Sequence, residues 1–238
     1  MKSRSWIISI LVLFSLSSIL FYYFYTVERA RTIDAVVSQQ RILARQAAKS
    51  LNELFAKWNS VLSYLSKEDN IVLMNSRGKD ELTQLSEILR DEIKSITRTD
   101  RNGTILYTAP YFPNSVGRDI SQQKHMTRIL FDHAPVVSDV FDAVQGFQAI
   151  AIHYPVFRNG VFDGTLAFVI DFGRVGKTIL EEIGSDGSGY AWLLSSEGIE
   201  LYCPVPGHIG GRFEGIHGVC TFCQKQEIPL VLSILGRE

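Results

Sequence analysis

The sequence predicts an α+β protein that one N-terminal helix anchors in a membrane. Three observations lead to this prediction: an uncharged apolar stretch near the N-terminus, a long helical periodicity directly after it, and short β-rich runs separated by turn signals from Ile93 onward. At 238 residues, the chain is long enough for one large or two small domains.

The membrane anchor is predicted from Trp6 to Tyr25, where no residue is charged. A helix of that length spans about 30 Å, the thickness of the hydrocarbon core of a bilayer. Lys2 and Arg4 precede it, which favours a cytoplasmic N-terminus at residues 1–5, an inner-membrane anchor and an exported remainder. A cleaved signal peptide is the alternative, but no small-residue cleavage site ends the stretch.

The charge balance argues against nucleic acid as a partner. The chain carries 24 Lys and Arg residues against 25 Asp and Glu residues, whereas a nucleic-acid footprint needs a clustered cationic excess. The sequence contains no serine-hydrolase elbow, zinc-protease helix or phosphate-binding loop. We therefore expect neither catalysis nor a cofactor within these residues; a membrane-anchored exported enzyme or a metal-binding protein is the alternative class.

A long helix is predicted directly after the anchor, because neither Pro nor Gly interrupts residues 27–65. Apolar and small side chains recur in it at alternating steps of three and four, which is a heptad seam. Such a seam packs either on the chain's own sheet or on a second copy of the helix in a homodimer, and both remain open. The seam consists of Val37, Gln40, Ala44, Ala47, Leu51, Leu54, Trp58, Val61 and Leu65.

The next part of the chain predicts helices and a hairpin. Asn102-Gly103 is a strong hairpin turn because both residues tolerate positive φ. The predicted elements are loops at 66–70 and 75–78, a helix at 79–90, strands at 93–99 and 104–108, and a helix at 119–132 with Ser121 as its N-cap.

From residue 135 onward, the sequence pattern predicts a sheet and the start of a second one. The elements are strands at 135–141, 147–157 and 161–171, a helix at 172–183, and strands at 190–195 and 199–203. Alternation in the first three strands indicates an antiparallel sheet with one covered face. Because the strand–turn–strand pattern of residues 93–108 returns at 190–203, two related sheet modules are predicted.

Several short motifs, in this order, resemble the double Cache family of extracytoplasmic sensor domains, which have two PAS-like modules behind a long membrane-proximal helix. The motifs are Thr97-Arg98-Thr99-Asp100-Arg101-Asn102-Gly103, Val116-Gly117-Arg118-Asp119-Ile120-Ser121, Val137-Ser138-Asp139-Val140-Phe141, Ile152-His153-Tyr154-Pro155-Val156, Gly164-Thr165-Leu166-Ala167-Phe168-Val169-Ile170-Asp171 and Gly189-Tyr190-Ala191-Trp192-Leu193-Leu194.

The resemblance implies the sensing region of a membrane signalling protein, with a sensor histidine kinase as the expected output and a chemoreceptor or diguanylate cyclase as the alternatives. It also implies that the second module is incomplete at Glu238, so that the chain is a fragment of a longer protein or a truncated product. The implied division is an anchor at 6–25, a long helix at 26–66, a membrane-distal module at 67–184 and a partial membrane-proximal module at 185–238.

The resemblance further implies a small-molecule pocket between the sheet and the helices of the distal module. The ligand-binding candidates are Gln123, Lys124, His125, Asp139, Phe141, His153 and Asp171. Gln123 stands where amino-acid-binding members carry an Arg, and Gln lacks the bidentate grip of Arg on a carboxylate. An amine, an amino acid, another organic acid and a neutral metabolite therefore remain open, and the histidines would make binding sensitive to pH.

Three of these candidates have structural alternatives. Asp171 is equally suited to cap the helix that begins at Phe172. His153 is more often a surface-facing strand residue than a ligand contact, and Phe141 is more often part of a core than a ring that stacks on a ligand.

The cysteines carry a weaker prediction. Cys203, His217, Cys220 and Cys223, with His208 nearby, offer enough ligands for a zinc site. Outside the cytoplasm, disulfide pairing or thiols without metal are the favoured outcome.

Overall fold

The computed structural model describes residues 2–180, 191–195, 198–203, 207–212 and 230–233. The chain divides into two compact units, Met1–Arg45 and Gln46–Glu238, and each is considered by itself. The first helix, α1, runs from Lys2 to Leu65 and contributes to both. Within the described residues, α1 is the one helix that is long and apolar enough to cross a membrane, with an exposed window of mean hydropathy 2.2.

The second unit contains helices packed against a twisted sheet, followed by a smaller sheet. The helices are α2 Asp69–Val72, α3 Ser76–Ile88, α4 Lys124–Asp132 and α5 Phe172–Leu180. The strands are β1 Ser95–Thr99, β2 Ile105–Ala109, β3 Val136–Val137, β4 Phe141–Asp142, β5 Gln148–Arg158, β6 Val161–Ile170, β7 Ala191–Leu194, β8 Glu200–Tyr202 and β9 Leu230–Ser233.

The larger sheet has the order β2-β1-β6-β5-β3, with β4 paired to another part of β5. All of these pairings are antiparallel, as the sequence predicts. Thr97 lies opposite Ala167, which in turn lies opposite His153, so these three side chains share one face. Ile96, Phe168 and Ile152 line up in the same way on the other face.

Both faces of this sheet are covered, which corrects the prediction of a single covered face. The face of Ile96 and Phe168 is apolar and packs on α2 and α3. Arg98, on that face, donates to the backbone oxygen of Val72 in α2 at 3.3 Å. Alternation fails as a signal here because helices also lie on the opposite face, so residues of both parities are buried.

In the second unit, residues of the predicted heptad seam pack against other parts of the same chain. Ala47, Leu51 and Trp58 are buried, and the Trp58 indole donates to Glu92 at 3.0 Å. Leu54, Val61 and Leu65 are only partly buried, and Phe55 and Leu62 take other buried positions. Intramolecular packing therefore uses only part of the predicted seam, and dimerisation of the helix stays a prediction.

Residues 69–70 and 76–78, predicted as parts of loops after α1, are helical. Residues 69–72 form α2, and α3 begins at Ser76, because the Asn75 side chain caps it by accepting from the Gly78 backbone at 2.9 Å. A Cβ at Gly78 would overlap the backbone oxygen of Asn70. Gly78 therefore permits the close approach of the two helices and does not mark a loop.

The helix predicted at 119–132 begins later, and Ser121 is not its cap. Ser121 donates its backbone N–H to the Asp119 carboxylate at 2.8 Å in a preceding turn, and Gln123 occupies the N-cap position of α4. The strand predicted at 135–141 is two short strands. Between them, Ser138 accepts from the Ala151 backbone through its hydroxyl at 2.7 Å, which interrupts regular pairing.

The smaller sheet has the order β8-β7-β9, in which β9 is parallel to β7 and was not predicted. The hairpin of β7 and β8 confirms the second strand–turn–strand pattern. Helix α5 packs on β8, and Gly176 lies directly against Tyr202. The predicted end of this helix at residue 183 lies outside the described residues.

Candidate functional site

A pocket lies between α4 and the segment of β3 and β4. It has a volume of about 310 Å³ and is lined by residues 123–125, Arg128 and residues 136–142. That volume is at the lower end of the range for small-molecule sites. A narrower recess of about 20 Å³, enough for roughly one water, leads from Gln123, His125 and Phe141 to the sheet.

The sheet leaves room for this recess because the face beneath it carries small and polar side chains. Thr97 on β1, His153 on β5 and Val169 on β6 line it. The opposite face of the same strands is filled by Ile96, Phe168 and other large apolar residues. The cavity therefore follows from side-chain size along alternate positions of the strands.

Helix α4 is held in place by its apolar side. Met126 and Ile129 are fully buried and pack in a cluster with Ile105, Ile120 and Val136. The spacing of these residues in the helix places His125, in the first turn, toward the pocket. The His125 ring lies 4.5 Å from the Phe141 ring and 4.9 Å from the His153 ring, between centroids.

Buried polar atoms at the recess have no hydrogen-bond partner in the part of the chain that the structure describes. They are Oγ1 of Thr97, Oε1 of Gln123 and Nε2 of His125. An unpaired buried polar atom costs about 1–3 kcal/mol, and such atoms are rare in folded proteins. Their convergence on one recess is typical of a site completed by a ligand or by water.

The two imidazoles of the site are neutral at neutral pH. Burial lowers the pKa of His125 to about 4. Burial, and then the neighbouring His125, lower the pKa of His153 well below its usual value. His153 Nδ1 lies 3.1 Å from the Thr165 hydroxyl, which fixes its ring. The deep end of the site is therefore polar and uncharged.

The mouth of the pocket carries charges of both signs. Lys124 Nζ lies 3.5 Å from the Asp139 carboxylate, and 72% of the Lys124 side chain but only 26% of the Asp139 side chain is exposed. Arg128, one turn further along α4, also lines the pocket. Anionic and cationic ligand groups would thus both meet a complementary charge.

Six of the seven predicted ligand-binding residues lie around these two connected spaces; Asp171 does not. It borders a separate depression near Phe172 and Ile209, and its carboxylate accepts from the Arg174 backbone at 3.3 Å, as a helix cap does. The expectation of a surface-facing His153 is wrong: the residue is 2% exposed, because helices cover both faces of the sheet.

Sequence reasoning missed Thr97, Arg128 and Gln145, which also line the pocket or its recess. A signal for Thr97 is present in the sequence: Ser95, Thr97 and Thr99 alternate with larger residues in β1. Gln145 lies in the turn after β4, whose position depends on tertiary structure and has no local signal.

A wider groove of about 670 Å³ borders α1 and Tyr154, with Asn59, Ser60, Ser63, Tyr64, Lys67 and Glu68. Tyr64 is 64% exposed, and no unpartnered buried polar atom among the described residues points into this groove. We regard the pocket beside α4 as the better candidate for that reason. Of the weaker metal candidates, Cys203 is described, whereas His217, Cys220 and Cys223 lie outside the described residues.

Comparison with known families decides what kind of protein carries this pocket. The profile of the family described as "HK/GC/Chemotaxis protein-like, sensor domain" matches residues 50–171, slightly more than half of the chain. The chain belongs to this sensor-domain family. The predicted resemblance to Cache sensors is thereby confirmed, and α1, with its apolar window, indicates a membrane protein with an extracellular sensor.

Solved structures support the fold of this sensor domain. An extracellular ligand binding receptor from Desulfohalobium retbaense DSM5692 has a TM-score of 0.64 and 24% identity; the match covers 73% of this chain but only 32% of that one. The present chain thus spans about a third of that receptor.

For two further structures, the match covers a larger share of the other chain. The ligand-binding domain of the Pseudomonas aeruginosa PAO1 amino acid chemoreceptor PctC, in complex with GABA, has a TM-score of 0.57 and 21% identity, over 72% of this chain and 75% of that one. A domain of a sensory box/GGDEF family protein from Vibrio parahaemolyticus has a TM-score of 0.58 and 13% identity, over 73% and 75%. None of the curated proteins matches the chain.

Proposed function

We propose that this sensor domain binds a small zwitterionic metabolite, of the amino acid class, in the pocket beside α4. The observation that carries the proposal is the convergence of Gln123 Oε1 and His125 Nε2, buried and unpartnered in the described structure, beneath a mouth that carries Lys124 and Asp139. A ligand with one cationic and one anionic group would find a partner for each charge here.

The residues have distinct roles in this proposal. Asp139 accepts hydrogen bonds from the ligand ammonium group, and Lys124 with Arg128 attracts its carboxylate. Gln123 and His125 bind uncharged polar atoms, Phe141 covers the apolar part of the ligand, and His153 fixes the position of His125 through ring contact. Asp171 takes no part, because it caps α5.

The complexes of similar fold support the ligand class. Besides the GABA complex, they include a Pseudomonas fluorescens chemoreceptor domain with L-valine and a P. aeruginosa amino acid chemoreceptor domain with L-Gln. Gln123 stands where amino-acid-binding members carry an Arg, and Lys124 attracts a carboxylate as a point charge without a fork, so we expect modest affinity for a standard amino acid.

A thermal-shift measurement tests the proposal by comparing zwitterions with analogues that carry only one of the two charged groups. The detergent-solubilised full chain is heated with GABA, L-valine or L-glutamine, and in parallel with butyrate or butylamine. We expect at least one zwitterion to raise the Tm more than either half-molecule does, because only the zwitterion uses both charges. No shift with any compound, or a shift with butyrate or butylamine as large as that with every zwitterion, would contradict the proposal.

The wider assignment follows the family. We infer that the domain lies outside the inner membrane and is the input of a histidine kinase, with a chemoreceptor or a diguanylate cyclase as alternative outputs. Dimerisation through α1 stays part of this proposal. We also propose the division of the chain into a cytoplasmic N-terminus (1–5), an anchor (6–25), a long helix (26–66), a membrane-distal module (67–184) and a partial membrane-proximal module (185–238).

A further inference from the structure

A second cluster of side chains lies in the smaller sheet, away from the pocket beside α4. Glu200 begins β8, Cys203 follows its end, and His208 lies in the turn that comes next. One ligand atom from each of these three residues lies within 4.8 Å of the others.

The backbone holds this cluster in position. The turn folds back along β8, where Gly210 donates to the Glu200 oxygen and the Glu200 N–H donates to Gly211, both at 2.8 Å. Gly211 also donates to the His208 oxygen at 3.0 Å. These bonds fix the two ends of the cluster relative to each other, so its geometry does not depend on mobile side chains alone.

The separations are slightly longer than those of ligands around a small cation. Cys203 Sγ lies 3.7 Å from His208 Nδ1, within hydrogen-bond range for sulfur, and His208 Nδ1 lies 3.8 Å from Glu200 Oε2. Metal–ligand distances of about 2.0–2.3 Å at tetrahedral angles place neighbouring ligand atoms roughly 3.3–3.6 Å apart. The pair at 3.8 Å is too long for a direct hydrogen bond.

Glu200 supplies an independent sign of a missing partner. Its side chain is 3% exposed; Cys203 hydrogen-bonds to its carboxyl group, but Oε2 has no hydrogen-bond partner among the residues described. A buried carboxylate oxygen without a partner is costly. A cation between Glu200, Cys203 and His208 removes that cost, because it would bind the oxygen that now lacks a partner.

We propose that Glu200, Cys203 and His208 form a zinc-binding site. A thiolate and an imidazole favour zinc over magnesium or calcium, which prefer oxygen ligands throughout. Cys203 binds as the thiolate, so metal binding releases the thiol proton to solvent. Three protein ligands leave the fourth tetrahedral position to water. Bound zinc ties the turn to β8 and thereby stabilises the smaller sheet.

The test uses the full chain in detergent, stripped with chelator under reducing conditions and then equilibrated with zinc or cobalt. We expect a stoichiometric zinc content and, with cobalt, the charge-transfer absorption of a cobalt–thiolate bond. Both should be lost in Cys203→Ser, and zinc should be lost in His208→Asn and Glu200→Gln. The exposed residues His133 and Glu87 supply matched controls, His133→Asn and Glu87→Gln, which should keep the metal.

Circular dichroism of each variant shows whether it folds, and only variants with the wild-type spectrum are compared. A wild-type protein that retains no zinc after removal of excess metal overturns the proposal. So does zinc retained in His208→Asn and Glu200→Gln. A cobalt–thiolate band that persists in Cys203→Ser arises from another cysteine and overturns it as well. None of these outcomes bears on ligand binding beside α4.

Discussion

His125 and His153 show how burial sets the chemistry of the pocket. Both rings are almost wholly enclosed, with exposures of 6% and 2%, and the depressed pKa values follow from that enclosure. In the proposed complex they would act at neutral pH as uncharged donors or acceptors. Charge recognition would then be left to Lys124, Arg128 and Asp139 at the mouth.

Acidification should destabilise the domain through these histidines. Because the pKa of His125 is about 4 in the folded state and near 6.5 when unfolded, the unfolded chain binds more protons between these values, and stability falls as the pH drops through that window. Between about pH 7 and pH 5 the loss from His125 is roughly 2 kcal/mol, and His153 adds to it in the same direction.

Urea denaturation of the full chain in detergent at the two pH values measures this loss. The His125→Gln variant should lose distinctly less stability than wild type on acidification. The matched control is His133→Gln, an exposed histidine just after α4, which should behave as wild type does. An equal pH dependence in all three proteins would contradict a buried, neutral His125.

Arg98 is a buried charge whose neutralisation depends on Asp163. Its guanidinium is fully buried and lies 3.0 Å from the Asp163 carboxylate, with further bonds to the backbone oxygens of Thr99 and Val72. Asp163→Ala should cost about 3–5 kcal/mol of unfolding free energy, because it leaves a buried cation without its partner. Urea denaturation at neutral pH measures that cost.

Arg101 provides the control, since it approaches the same carboxylate at 3.8 Å from an exposed position. Arg101→Ala should cost less than about 1 kcal/mol. If the two substitutions had similar effects, the burial of Arg98 would not be the source of the stability.

At the scale of elements, β6 depends on Gly164. The residue has φ +122°, and a Cβ there would overlap the backbone oxygen of Thr99 in β1. Gly164→Ala should therefore destabilise the fold by on the order of 3 kcal/mol, from strain and from separation of the two strands. Gly160 has φ +79° with open space around it, so Gly160→Ala should cost only about 1 kcal/mol. Comparable midpoints in urea would contradict the close approach of β1 and β6.

Local signals predicted most elements between residues 67 and 184, but not how they pack. The turn at Asn102-Gly103 and the strands on either side were readable because turn chemistry and strand propensity act over a few residues. The caps were not: Asn75 and Gly78 have loop composition, yet they cap α3 and allow it to pack on α2. A second covered face also hides strand alternation, which is why His153 was expected at the surface.

The prediction of site residues was right where it rested on resemblance. It failed where a residue's role depended on three-dimensional proximity. Gln123, His125 and Phe141 were expected in the pocket and line it. Asp171 was expected there too, but β6 ends beside α5 and the smaller sheet. The cluster of Glu200 and His208 depends on a turn that folds back by backbone hydrogen bonds, for which the sequence carries no periodic signal.

At the scale of the whole molecule, the anchor predicts which side of the membrane the sensor occupies. The uncharged stretch Trp6–Tyr25, with Lys2 and Arg4 before it, should leave residue 238 outside the cytoplasm. Alkaline phosphatase fused after residue 238 should therefore be active in a bacterial host. The same fusion without residues 6–25 should be inactive, and activity there, or inactivity of the full-length fusion, would contradict the proposed topology.

The central claim is that the pocket beside α4 holds the ligand, and calorimetric titration of matched variants tests it most directly. With whichever zwitterion stabilises the full chain best, we expect saturable binding to wild type and to Asp171→Asn. Binding to Asp139→Asn should be about tenfold weaker or more, from loss of one charge-assisted hydrogen bond. Unchanged affinity in Asp139→Asn together with weakened affinity in Asp171→Asn would place the ligand outside the pocket beside α4.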